Sequence, residues 1–258
     1  MDKNNIATLS ETIKNTENKT TDTRNNKRKQ LHPLIRYMVG KAVLLYGDSF
    51  AGKSTFIARL SRKLLEATGK PARLYWLDKN FTRRDFGTYL AELSGADIVM
   101  VKNPRTVHLM LKKEVKKGRN GVEYKPIDYS RYSMVAVDSL TGIATEMIKS
   151  GYPDDPTVTL ATTRYAQSIM ANLSEIAHEH NLIGILVAHP STIWGDKWMG
   201  QNDKPSFMGK ALMNTDIVIK FEKKNENERT VKVVLDRRPM FNESPWLNKE
   251  ITTEELLE

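Results

Sequence analysis

Residues 42–56 read AVLLYGDSFAGKSTF. The first five, "AVLLY", form the short unbroken apolar run of a parallel strand buried on both faces. The run stops at Gly47, and the residues up to Thr55 include a second glycine, one lysine and three hydroxyls. Beyond them Phe56, Ile57, Leu60, Leu64 and Leu65 fall on one side of a helix, with Arg59, Arg62 and Lys63 opposite. Gly69 and Pro71 end that helix. Between strand and helix, Gly47, Gly52, Lys53 and Ser54 occupy every fixed position of G-x-x-x-x-G-K-[ST].

A loop of this kind turns its backbone N–H groups toward a common centre, and the helix behind it adds the positive end of its dipole. The expected ligand is a nucleoside triphosphate, cradled by Gly47, Asp48, Ser49, Phe50, Ala51, Gly52, Lys53, Ser54 and Thr55. Lys53 is expected to reach the β- and γ-phosphates and Ser54 to ligate Mg²⁺. A chance match in a structural turn is the bland alternative, and the flanking strand and helix argue against it. A second metal-side group is expected at Asp138, which closes the apolar run in "SMVAVDSL" (133–140). Ligands of open α/β sheets bind beyond such strand ends. An aspartate after four buried apolar residues costs free energy unless its charge finds a partner, and hydrated Mg²⁺ is a natural one. The competing reading is a carboxylate that caps the next turn.

The remaining chain alternates. Strands are expected at 72–77, 97–101, 133–140 and 182–188, and helices at 83–93, 105–117 and 157–180. Residues 118–131 read as loop or hairpin, and 216–236 as a hairpin turning near Asn225–Asn227. The predicted fold class is α/β, a three-layer arrangement around a mostly parallel central sheet with a C-terminal antiparallel hairpin.

Composition bounds the rest. Of 258 residues 40% are hydrophobic, and the polar excess is concentrated at the start. Residues 1–30 are rich in Asn, Thr and Lys, without an aromatic, and read as a disordered basic tail. The core is placed at 31–248 and a C-terminal tail at 249–258. Absence of cysteine excludes a disulfide scaffold, cysteine zinc sites and thiol catalysis, and fits a reducing cytoplasmic interior. No apolar run approaches the ~18 residues of a membrane span, so no membrane partner is expected. The net charge of +9 and pI near 9.5 favour a polyanionic partner.

"LLYGDSFAGKST", "MVAVDSLTGI" and "LIGILVAHPST" together resemble the RecA-type ATPase core, above all the RadA- and KaiC-like proteins and small phage recombinases built from that core alone. The stretch from Trp194 to Pro239 resembles the same branch, and the likeness spans about 41–248. It implies a RecA-like P-loop NTPase that hydrolyses ATP with Mg²⁺, is stimulated by single-stranded DNA, and serves recombination, annealing or repair.

The resemblance also implies roles. Asp78, after the second strand, takes the place of the water-activating carboxylate, where relatives usually carry glutamate; a strand-end cap is the alternative. His189 takes the place of a residue that senses the γ-phosphate. Arg238, with Arg237, resembles basic residues inserted into a neighbouring subunit's nucleotide, implying self-association as a ring or short filament. Pro239 and Arg84 are placed beside adenine. Trp194, Lys197, Trp198 and Lys204 lie in a loop whose aromatic and basic side chains suit stacked bases and phosphates. The basic stretch Lys112 to Lys125 is a second nucleic-acid candidate. The same core also serves ring helicases, helicase loaders and KaiC-like ATP-gated scaffolds. Departing from the family pattern, the chain shows no N-terminal helical DNA-binding domain and no clear Phe-x-x-Ala tether.

Overall fold

The structure, a computed structural model, describes residues 31–77, 84–118, 121–140, 156–189, 214–226, 228–237 and 244–258. Its strands are β1 (Lys41–Gly47), β2 (Ala72–Trp76), β3 (Asp97–Met100), β4 (Lys113–Gly118), β5 (Gly121–Pro126), β6 (Met134–Asp138), β7 (Ile183–Ala188), β8 (Ile217–Lys223), β9 (Arg229–Asp236) and β10 (Glu250–Thr252). Its helices are α1 (Pro33–Met38), α2 (Lys53–Thr68), α3 (Arg84–Ser94), α4 (Val107–Met110), α5 (Pro156–His180) and α6 (Thr253–Leu257).

Eight strands form one sheet in the order β10-β9-β8-β1-β7-β6-β2-β3. From β8 to β3 neighbours run parallel, while β9 and β10 add an antiparallel edge. The expected α/β class holds. Alternation along β1 explains the layering: Val43 and Leu45 are buried with the helices of one face, Ala42, Leu44 and Tyr46 with those of the other. On the first face lie Leu34 and Met38 of α1, Phe56, Ile57, Leu60 and Leu64 of α2, and Leu90 of α3. On the second lie Ile169, Met170, Leu173 and Ala177 of α5 with Val107 of α4. A sheet with both faces covered is why β1, β6 and β7 read as continuous apolar runs rather than alternating ones.

Two expectations change. The helix expected at 105–117 is only Val107–Met110; Lys113–Gly118 pairs antiparallel with Gly121–Pro126 as a separate two-stranded sheet. Glu114 in that hairpin meets the buried Arg73 at 2.9 Å, a tertiary contact that outweighs the local helical pattern of "KKEVKKG". Residues 249–258, read as a tail, supply β10 and α6, and bury Ile251 and Leu256 in the core. The tail assigned to 1–30 lies outside the described residues.

Candidate nucleotide site

Parallel strands deliver their C-terminal ends to one edge of the sheet. Tyr46 pairs with Ala188, and Val137 with Leu186, so Gly47, Asp138 and His189 all leave the sheet at that edge. The strand β7 stands between the glycine-loop strand and the Asp138 strand.

The loop is built by close approach. Gly47 pairs with Phe221 of β8, and a Cβ on Gly47 would lie 2.4 Å from the Phe221 carbonyl oxygen. Gly52 caps α2 in the left-handed region (φ 87°), where a side chain is strained. No side chain caps the helix and no acidic residue occupies its first turn. The end therefore keeps backbone donors without a capping side chain, a condition for binding an anion. Ala51 is buried while Asp48, Ser49 and Phe50 are exposed, Phe50 adopting φ 65°. Ser54 and Thr55 are half-buried in the first turn of α2.

Lys53 is buried, and its Nζ donates to the carbonyls of Gly47 and Asp48, each at 2.7 Å. Burial pulls its ammonium down to about 8, with the charges of Asp138 and Asp48 acting the other way. Among the described residues this cation has no bonded carboxylate, and phosphate oxygens are the natural counter-charge. Ser54 Oγ donates to Asp138 Oδ2 at 2.6 Å. These two oxygens, one hydroxyl and one buried carboxylate, come from segments 84 residues apart. They fit a hard divalent ion such as Mg²⁺, which takes few protein oxygens and completes its shell with phosphate and water. Among the described residues no cluster of three or more His, Cys, Asp or Glu could hold a metal alone.

His189 comes next to the loop as well: its Nδ1 lies 3.2 Å from Ser49 Oγ. Arg237, by contrast, leaves β9 at the opposite edge of the sheet, its N–H donating to the Asp216 carbonyl near the start of β8. Arg84 is the first residue of α3, and its side chain is outside the description. Asp78, Trp194, Lys197, Trp198, Lys204, Arg238 and Pro239 lie outside the described residues. One group at the loop carries no sequence signal. Arg229, at the start of β9, lies against Gly52, so that a Cβ there would come within 2.6 Å of Arg229 Cδ. Only the pairing of β8 with β1 places it there.

No protein-family model matches this chain, and no curated protein matches it either. Solved structures are similar to it. One is titled as the RadB recombinase, with 18% identity over 77% of this chain and 82% of that one, at a TM-score of 0.47. Another is the KaiC-like protein PH0186 from the hyperthermophilic archaeon Pyrococcus horikoshii OT3, with 18% identity over 83% and 85%, at 0.48. Likeness at this level assigns no activity. Among the described residues no helix is long and apolar enough to cross a membrane.

Proposed function

We propose that this protein is a Mg²⁺-dependent ATPase with a RecA-like core that binds single-stranded DNA in recombination, annealing or repair. The observation that carries the nucleotide part is the Ser54–Asp138 hydrogen bond at 2.6 Å beside a buried, anion-seeking Lys53. A glycine-loop match alone can arise in any turn. A hydroxyl from the loop helix bonded to a carboxylate at the end of β6 is the arrangement a metal–triphosphate needs.

In the reaction, a water oxygen bonds to the γ-phosphorus as the bond to the bridging oxygen breaks, giving ADP and phosphate, and the proton the water loses passes to solvent. Negative charge accumulates on the transferred group and on the leaving oxygen. Lys53 and the free amides at the start of α2 offset that charge without reorganising. Ser54 and Asp138 would hold the metal, which would supply further charge neutralisation. The 3.2 Å contact of His189 with Ser49 supports a role in registering what occupies the loop, and His189 precedes the segment 190–213, where the aromatic and basic residues proposed for DNA lie.

The DNA part of the reading is supported by the +9 charge and by the composition of that segment. The test is ATP turnover with Mg²⁺, with and without a single-stranded oligonucleotide, over a series of salt concentrations. Turnover that rises with the oligonucleotide, the effect fading steeply as salt increases, is expected. Nucleotide binding without turnover, indifferent to DNA, overturns it in favour of an ATP-gated scaffold. Unwinding of a forked duplex replaces annealing by a helicase role.

A further inference from the structure

Arg229 and Lys223 face each other across the β8–β9 hairpin at the point where it overhangs the glycine loop. Phe221 opposes Val231 and Lys223 opposes Arg229. Directly opposed residues share a face, and every second residue returns to it. Phe221 and Val231 are buried under α2, the Phe221 ring meeting that of Phe56 at 5.1 Å, edge-on. Lys223 and Arg229 therefore continue the α2 face of the sheet, two residues past the level of Gly47, which pairs with Phe221. The position of Arg229 agrees: a Cβ on Gly52 would lie 3.0 Å from its Nε.

The electrostatics of this pair differ from those of their neighbours. Lys224 bridges Glu222 and Glu250, and Lys220 also pairs with Glu222. Arg229 Nη1 donates only to the Glu226 carbonyl, at 3.2 Å, and among the described residues neither Arg229 nor Lys223 has a carboxylate partner. Two like charges directly opposed across a ladder destabilise it unless an anion lies between or beside them.

Sheet order says which part of a nucleotide that anion is. Asp138 on β6 and His189 after β7 lie on one side of the loop, and the β8–β9 hairpin lies on the other. A triphosphate whose metal-bearing end faces Asp138 extends its nucleoside end across Gly52 toward Arg229. We infer that Arg229, with Lys223 beside it, is a nucleotide-binding residue acting within its own chain on the α-phosphate, closing the phosphate loop from the hairpin side. This rests on the nucleotide reading above. It differs from the role expected of Arg237 and Arg238, which concerns a neighbouring subunit.

An α-phosphate contact is common to ATP and ADP, and this gives the test. Affinities of the full chain for Mg-ATP and Mg-ADP are measured by calorimetry for wild type, Arg229→Gln, Arg229→Lys and Lys223→Gln. Arg229→Gln is expected to weaken ATP and ADP by the same factor, about tenfold, the scale of one charge-assisted hydrogen bond. Arg229→Lys keeps the stem over Gly52 but not the planar fork, and is expected to lose about threefold for both; Lys223→Gln loses roughly twofold, as a more distant charge does. Unchanged affinities in the Arg229 variants, or a loss for ATP alone, overturn the inference. A wild type that binds neither nucleotide overturns the nucleotide reading itself, a different result. The ligand-free melting temperature of Arg229→Gln is expected to match or slightly exceed wild type, because one of two opposed like charges is gone; Arg229→Lys decides the matter if that variant melts early.

Discussion

Two cations are buried at opposite edges of the same sheet, and their surroundings are opposites. Arg73, near the start of β2, donates to Asp97, Glu114 and the Tyr132 hydroxyl at 2.9 Å each, and to the Tyr75 hydroxyl at 3.0 Å. Those tyrosines are tied onward: Tyr75 donates to the Met110 carbonyl, and Tyr129 beside it to that of Leu111. Lys53, at the other edge, donates among the described residues only to loop carbonyls, and burial lowers its affinity for its proton. The first network is closed and fastens β3, β4 and the turn before β6 to the sheet. The second is open toward the loop. A satisfied buried network holds a fold, whereas a half-satisfied cation marks where a ligand belongs.

The sharpest way to break this contrast is to remove each cation. Lys53→Ala is expected to lower ATP turnover by about two to three orders of magnitude, the scale of losing one preorganised donor to the transition state. Arg73→Met is expected to leave the turnover of folded protein near wild type and to destabilise the fold by about 3 kcal/mol, because Asp97 and Glu114 lose a buried partner. Chemical denaturation with turnover normalised to folded fraction separates the two outcomes. If Arg73→Met abolished nucleotide binding while leaving stability intact, the division would be wrong.

Gly47→Ala probes the seam between the site and the sheet. Its Cβ would meet backbone, not a flexible side-chain end, so the β1–β8 pairing must shift. A loss of about 1–3 kcal/mol of stability is expected, on the overpacking scale, with weakened ATP binding.

The smallest effect is a proton. With Lys53 near 8 in the free protein, phosphate oxygens beside it raise that value on binding. At pH 6.5 the ammonium is already formed and no proton moves. Between about pH 8 and pH 9.5 the free protein holds a partly neutral lysine, so ATP binding takes up a fraction of a proton. Calorimetry in buffers of different ionisation enthalpy measures that uptake, and Lys53→Ala should abolish it. A release of protons in that range would contradict the assignment. The sign for folding follows: burial penalises the charged form, so Lys53 costs the ligand-free protein stability below pH 8, and that cost fades as pH rises toward its unfolded value.

How far the sequence reached depended on distance along the chain. The strand–loop–helix from Ala42 to Thr68 could be read directly, because phosphate loops are made of consecutive residues with fixed backbone demands. Asp138 could be proposed because a carboxylate ending an apolar run needs a reason. The turn and β5 fell within 118–131, already read as loop or hairpin, but β4 could not be read, since "KKEVKKG" suits a helix until Arg73 draws Glu114. Nor could β10 and α6, whose few apolar residues, Ile251 and Leu256, count only once a sheet edge exists to receive them.

The amino-acid order alone therefore determined the phosphate loop, the alternation of strands and helices, and the carboxylate beyond β6, since each rests on spacing within one segment. Tertiary structure alone decided that Ser54 meets Asp138 directly, that Ser49 meets His189, and that Arg229 stands over Gly52. Those contacts depend on which strand lies beside β1. Hydrogen bonding between distant strands chooses that neighbour, and no local pattern encodes it.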